Sequence, residues 1–286
     1  MFLRSLSIIV FMDQEVSKLK KRLFYDIKGV KIDGLVSISL VGSFQYAKKL
    51  EAVNDVDLVV LVEKLTPKVF GQINSKFENI GKRLETSKLK FVVENRTAPI
   101  KPLHIKGKKV VQLQLLIYDI ELWKNSSTNT KLDWSNFSTP ICGKRLRKIK
   151  EIKKEHLIKT LENSLSNIKN RTAYGRVFSV FKNKLNIEKL HIKIKKEDYD
   201  ESITYNIIIS CLNYLRFYNP KLKKDKNLIL TETRKKLPLK IYSIVEMAFS
   251  AKDKIRNGKK LSKDESQKLM EAAIEFIEYL KNKITL

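Results

Sequence analysis

VGSFQYAKKLEAVNDVDLVVLV, residues 41–62, is the stretch on which the reading of this chain turns. An apolar run from Val36 to Val41 leads into Gly42-Ser43, and eleven residues then separate Ser43 from Asp55, at the start of a second apolar run from Val56 to Val62. Strand side chains alternate faces, so Asp55 and Asp57 project together while Val56 and Leu58 turn into a core. Two carboxylates held that close repel each other unless a cation lies between them. The pair is therefore a candidate Mg²⁺ site, completed by a phosphate-bearing substrate. Gly42 lets the backbone approach a phosphate closely, and the N–H groups and Ser43 hydroxyl of a strand-to-helix turn can donate to it.

Outward from this core the pattern alternates. DQEVSKLKKRLFYDI, from Asp13, has an acidic first turn and a basic last one, as a helix prefers; Met12, just ahead of it, is a candidate initiator alongside Met1. A helix is expected over Thr66 to Glu85, a strand over Lys90 to Thr97, and a further strand over Lys109 to Tyr118, KVVQLQLLIY. In that last strand Gln112 and Gln114 share one face, with Val111, Leu113 and Leu115 on the other. Beyond residue 145 the periodicity becomes mainly helical. Leu157, Leu161, Leu165 and Ile168 make one apolar stripe; Ile203, Ile207, Cys211 and Leu215 make a second; Leu269, Ala273, Phe276, Leu280 and Ile284 make a third, behind the capping-box spacing Ser262 to Glu265. A helix over Leu239 to Ile255 is expected to stop at Gly258. The fold class is α+β: a mixed β-sheet domain with flanking helices over residues 1–145, then a mainly α-helical domain over residues 146–286.

Gly-Ser followed by Asp-x-Asp between two apolar strands resembles the signature of the DNA-polymerase-β-like nucleotidyltransferase superfamily, which includes poly(A) and CCA-adding enzymes, aminoglycoside nucleotidyltransferases and nucleotidyltransferase toxins. The resemblance implies a nucleotidyltransferase core over residues 1–145 and an acceptor-binding helical domain behind it. It implies transfer of a nucleoside monophosphate from an NTP, such as ATP, to a hydroxyl. Asp55 and Asp57 would be the catalytic, Mg²⁺-holding carboxylates, with Gly42 and Ser43 on the phosphates. Members also carry a third carboxylate on a later strand, and here that position holds Gln112 and Gln114. An amide can hydrogen-bond a nucleotide, but it neither neutralises Mg²⁺ nor takes a proton at neutral pH. Three readings stay open: Glu94 (or Asp119, past the end of the Gln strand) supplies the acid, two carboxylates suffice, or catalysis is lost and nucleotide or RNA binding remains. Arg96 and Lys101 flank a proline-containing bend beside the presumed site and are candidate phosphate contacts.

Charge sets the class of acceptor. With 58 Lys+Arg against 31 Asp+Glu the formal net charge is +27, an excess that favours a polyanion by counterion release. Only 11 of the basic residues are Arg, as compositional bias toward Lys would give, but bias alone does not produce so large an imbalance. The favoured acceptor is RNA, tRNA-like, with an aminoglycoside-like small molecule, a protein, or a non-catalytic binding module on the same fold as alternatives. Two basic segments stand out: Lys144 to Lys154 at the expected domain junction, and Lys189 to Lys196, which if extended would set Lys189, His191, Lys193 and Lys195 on one face. Tyr174 and Arg176, in RTAYGRVF, are candidates to stack on or clamp an acceptor near a helix junction, with ordinary packing the simpler reading. Cys142 and Cys211 read as reduced thiols of a cytoplasmic protein rather than a disulfide framework. His104, His156 and His191 stand without metal-ligand spacing. The run Leu6 to Met12 is too short to cross a bilayer, so no membrane partner is expected.

Overall fold

The structure is a computed structural model describing residues 14–50, 53–95, 108–126 and 128–285. The described residues fall into two compact units: one drawn from Met1–Lys124, Ser138–Leu146 and Phe178–Asn186, the other from Asn125–Phe137, Arg147–Val177 and Ile187–Leu286. The protein is α+β, with a five-stranded mixed sheet in the first unit and mostly helices in the second.

The strands of the first unit are β1 (Leu35–Val41), β2 (Asp55–Val62), β3 (Leu89–Glu94), β4 (Lys109–Asp119) and β5 (Thr139–Gly143), in the order β3-β4-β2-β1-β5. β4 runs parallel to both β2 and β3, whereas β1 is antiparallel to β2 and β5. β2 and β4 are interior strands, which is why their sequences read as near-continuous apolar runs rather than alternating ones. Leu58, Val60, Leu113, Leu115 and Ile117 are fully buried, each contributing roughly 1.5–3 kcal/mol of transfer free energy. Helix α1 (Gln14–Lys28) buries Val16, Leu19, Leu23 and Ile27, a stripe at helical spacing. Helix α2 (Pro67–Leu84) starts where sequence signals place it, with Pro67 in the first turn and the Thr66 side chain accepting from the Val69 N–H at 3.2 Å. Gly81 of α2 lies against Phe91 and Leu113, which places the helix on the sheet face that carries Leu113.

In the second unit α3 (Ile120–Asn125) and α4 (Thr128–Asn136) are followed by α5 (Lys154–Asn170), a hairpin of β6 (Thr172–Phe181) and β7 (Lys184–Lys193), then α6 (Tyr199–Tyr218), α7 (Lys226–Lys236), α8 (Leu239–Arg256) and α9 (Lys263–Thr285), although Ile120–Lys124 and the hairpin tip group with the first unit. α6 packs against α5, α7, α8 and α9, so it is buried nearly all round. The expected stripes on α5, α6 and α9 face this core, with Leu165 only partly buried. The capping box forms reciprocally: Glu265 N–H donates to Ser262 Oγ at 3.2 Å and Ser262 N–H donates to Glu265 Oε2 at 2.9 Å. α8 stops as read, with Gly258 at φ 73° donating its N–H to Ile255 O.

Two features differ from the sequence reading. The helical region contains the β6–β7 hairpin, closed by Lys182-Asn183, both at positive φ (46° and 56°) as a two-residue type I′ turn requires. The turn holds no glycine, so the sequence carried no hairpin signal there, although the alternation from Lys189 to Lys196 fits the extended strand that β7 forms. The second difference is the path of the chain between the units: besides the boundary between Leu146 and Arg147, residues 125–137 group with the helices and Phe178–Asn186 group with the sheet. Leu132 sits in the helical core, and Asp133 pairs at 2.9 Å with Arg216, which is almost wholly buried and also donates to Leu222 O.

Candidate active site

Strand register brings the polar residues of the sheet onto one face. Asp57 lies opposite Val41 on β1 and Gln114 on β4, and Gln114 lies opposite Glu94 on β3. One step back along β2, Asp55 lies opposite Gln112, which lies opposite Val92. Laterally paired residues point to the same side of a sheet. Asp57, Gln114 and Glu94 therefore form one row and Asp55 and Gln112 a second, all on the face opposite Leu113 and α2. Asp55, Asp57 and Gln114 are half-buried, whereas Gln112 and Glu94 are buried.

The Gly-Ser turn closes over this row. Gly42 has φ 73° and ψ −164°, a conformation open essentially to glycine alone. A Cβ added there would overlap Asp57 Oδ2 and lie 3.0 Å from Asp57 Cγ, so the absent side chain is what admits the carboxylate. Ser43 opens a single 3-10 turn, Ser43–Tyr46, and its Oγ donates a long hydrogen bond to Asp55 Oδ1 at 3.5 Å. Phe44 anchors the turn in the core. Gln45 Nε2 donates to Gly42 O, and Thr139 Oγ on β5 donates to Gln45 Oε1 at 2.8 Å.

Two lysines brace the same segment from outside the motif. Lys20 Nζ, on α1, donates to the carbonyls of Gln45 (3.1 Å) and Ala47 (3.0 Å) and lies 5.4 Å from the centre of the Phe44 ring. Burial holds the Lys20 ammonium below the usual lysine range. Lys109 Nζ donates to Leu50 O at 3.0 Å. Sequence reasoning missed Lys20, Gln45, Lys109 and Thr139. Among so many lysines nothing distinguishes the two that reach the carbonyls of this segment, and long-range pairs leave no local pattern.

Glu94 shares the face of the Asp pair but stands two strands from Asp57, a Cα separation of roughly 10 Å at normal strand spacing, with Gln114 between them. Gln114 Nε2 donates to the Glu94 main-chain carbonyl at 3.4 Å. Among the described residues no three Asp, Glu, His or Cys side chains converge as a metal cage. Asp119 lies at the far end of β4, paired in register with Val62, where Oδ1 accepts from the Leu122 N–H and Oδ2 from the Leu65 N–H. It caps the start of α3 and ties down the turn after β2, so it is not a site residue. Arg96, Lys101 and His104 lie outside the described residues, as does the run Leu6 to Met12. Tyr174 and Arg176, expected near a helix junction, are on β6; Tyr174 is exposed and Arg176 buried. Cys211 is fully buried against Thr233 Oγ at 3.1 Å, and burial pushes its thiol up to about 12. Cys142 is likewise raised by burial, and both cysteines are free thiols.

The donor set fits Mg²⁺. This ion keeps several waters and is usually held by one or two carboxylates plus substrate phosphates rather than by an all-protein cage. Asp55 and Asp57, one strand period apart on one face, with a glycine cradle that a Cβ would fill, are such a pair. No family model matches the chain, and no curated protein matches it in sequence. Among the described residues no helix is long and apolar enough to cross a membrane.

Proposed function

We propose that the protein is a nucleotidyltransferase of the DNA-polymerase-β-like class that moves a nucleoside monophosphate from an NTP to a hydroxyl of an RNA acceptor. The observation that carries this reading is the shared face: Asp55 and Asp57 lie in lateral rows with Gln112, Gln114 and Glu94, and Gly42 packs on Asp57. Asp55 and Asp57 are the residues that would hold Mg²⁺, and the ion would supply neutralisation of the triphosphate charge and easier ionisation of the acceptor hydroxyl. Gly42 and Ser43 seat the β- and γ-phosphates, the glycine by permitting close approach and the serine by donating its N–H and hydroxyl. Gln112 and Gln114 orient the nucleotide through their amides. Glu94 is the remaining carboxylate on the face and takes the acceptor proton. The +27 formal charge supports RNA over a small cationic acceptor or a protein.

The experiment is incubation of the purified protein with each labelled NTP and Mg²⁺, with and without total RNA. Asp55→Asn and Asp57→Asn should each lower transfer at least about a hundredfold, the scale on which removal of one electrostatic stabiliser acts, with the fold intact by circular dichroism. Wild-type turnover in either variant would sink the proposal. A second reading, a binding module that keeps the nucleotide but not the chemistry, is favoured by the amides at Gln112 and Gln114. It predicts NTP binding with no transfer from any of the nucleotides.

A further inference from the structure

The hairpin brings together two segments, around Tyr174 and around His191, that no local sequence pattern links. Counting back from the two-residue turn sets Tyr174 on β6 opposite His191 on β7, and their rings meet edge to face with centroids 6.3 Å apart. The same register accounts for the bond from Ile194 N–H to Arg171 O at the open end. It also sets Thr172 opposite Lys193 and Arg176 opposite Lys189. One face of the open half of the hairpin thus carries Lys193 and Thr172, then His191 and Tyr174, then Lys189 and Arg176. No acid stands among these six positions, and Glu188 alternates to the opposite side. Arg176 is buried, but Lys189, His191 and Lys193 are exposed and Tyr174 is 50 % exposed.

We infer that this face is a docking surface for single-stranded RNA, with a base stacked on the Tyr174–His191 pair and backbone phosphates on Lys189 and Lys193. The charge is complementary to phosphate and to no cation. A ring pair standing proud between two lysines on a two-stranded ribbon gives what sequence-tolerant single-strand binding uses, a stacking platform inside a basic track. Every base has a π-face, whereas in a duplex those faces are already stacked on their neighbours, so the geometry selects an unpaired segment. The choice of RNA rests on the reading above; the surface itself does not depend on the carboxylate pair.

The test is binding of fluorescein-labelled single-stranded RNA to the full chain by fluorescence anisotropy, in excess chelator so that no transfer can occur. Tyr174→Ala combined with His191→Ala should weaken binding about fivefold or more, since base–aromatic stacking contributes roughly 1–3 kcal/mol per base. Tyr174→Phe, which keeps the ring, should bind as the wild type does. Lys189→Gln with Lys193→Gln should lower the slope of log affinity against log salt by about 1.4, or about 0.7 per single-strand phosphate contact. A duplex of the same sequence should bind more weakly and be indifferent to Tyr174→Ala. Unchanged affinity in the double aromatic variant overturns the inference. So does an unchanged salt slope in the double lysine variant, or duplex binding as tight as single-strand binding. Because the readout is binding without metal, it can succeed while the Asp55 and Asp57 variants refute catalysis, or fail while transfer stands.

Discussion

Gly42→Ala tests the site at its tightest point. The new methyl carbon meets Asp57 Oδ2 inside van der Waals contact, 3.0 Å from Cγ and 3.2 Å from Cβ of the same residue. Asp57 Cβ is fixed by the β2 backbone, so the carboxylate must swing to another rotamer or the 3-10 turn must lift away. The backbone at φ 73°, ψ −164° adds its own penalty, about 1–3 kcal/mol for a residue held in such a region. The expected outcome is a loss of stability of about 1–3 kcal/mol from strain, with a further loss from the collision, and a fall in transfer comparable to that of Asp57→Asn. A double-mutant cycle with Asp57→Ala separates the two contributions. In that background the overlap with the carboxylate is gone and only the φ penalty and the 3.2 Å approach to the Cβ of residue 57 remain, so the cost of Gly42→Ala should shrink by at least about 0.5 kcal/mol, the lower end of coupling between touching residues. Urea unfolding gives the stabilities and the NTP assay gives the rates. Gly42→Ala with wild-type stability and wild-type transfer would refute the claim that the turn is shaped around Asp57; equal costs in both backgrounds would refute the contact while leaving the strain.

Two further outcomes follow from the polar face and the core. Glu94→Gln should cut the transfer rate at least about a hundredfold, the lower end of general acid–base contributions, with little change in RNA affinity, whereas Gln112→Asp should raise the rate if two carboxylates leave the enzyme short of charge and do nothing in a binding module; a Glu94→Gln enzyme at full rate would remove Glu94 from the chemistry. Stability should fall at alkaline pH through Cys211: its thiol keeps its proton in the folded state to about 12 against 9.0 for an unburied thiol, so the unfolded chain ionises first and stability, constant in this respect below about 9, drops by up to roughly 1.4 kcal/mol per pH unit above it. Urea titrations at rising pH should show a shallower decline for Cys211→Ala, and identical slopes in the two proteins would exclude this contribution.

How much was legible in the sequence depended on the range of the interactions. The strands β1, β2 and β4, the helix α2 with its Thr66 cap, and the Ser262–Glu265 capping box are local patterns in which each residue's partner is near in sequence. Period-two and period-3.6 burial and short-range hydrogen bonds express themselves along the chain, so they can be read along it. The facing of Asp55 with Asp57 and of Gln112 with Gln114 was legible for the same reason. That these two pairs adjoin, with Glu94 in the next strand, was settled by the parallel register of β2, β4 and β3, a choice made by side-chain packing between segments far apart in sequence. The bonds of Lys20 and Lys109 to carbonyls of the segment that follows Gly42-Ser43, the passage of residues 125–137 to the helices through Leu132 and Asp133, and the meeting of Tyr174 with His191 belong to tertiary structure as well. Each joins residues whose partner is chosen by where the chain returns in space, and a lysine, an aspartate or a tyrosine carries no mark in the sequence of which neighbour that will be.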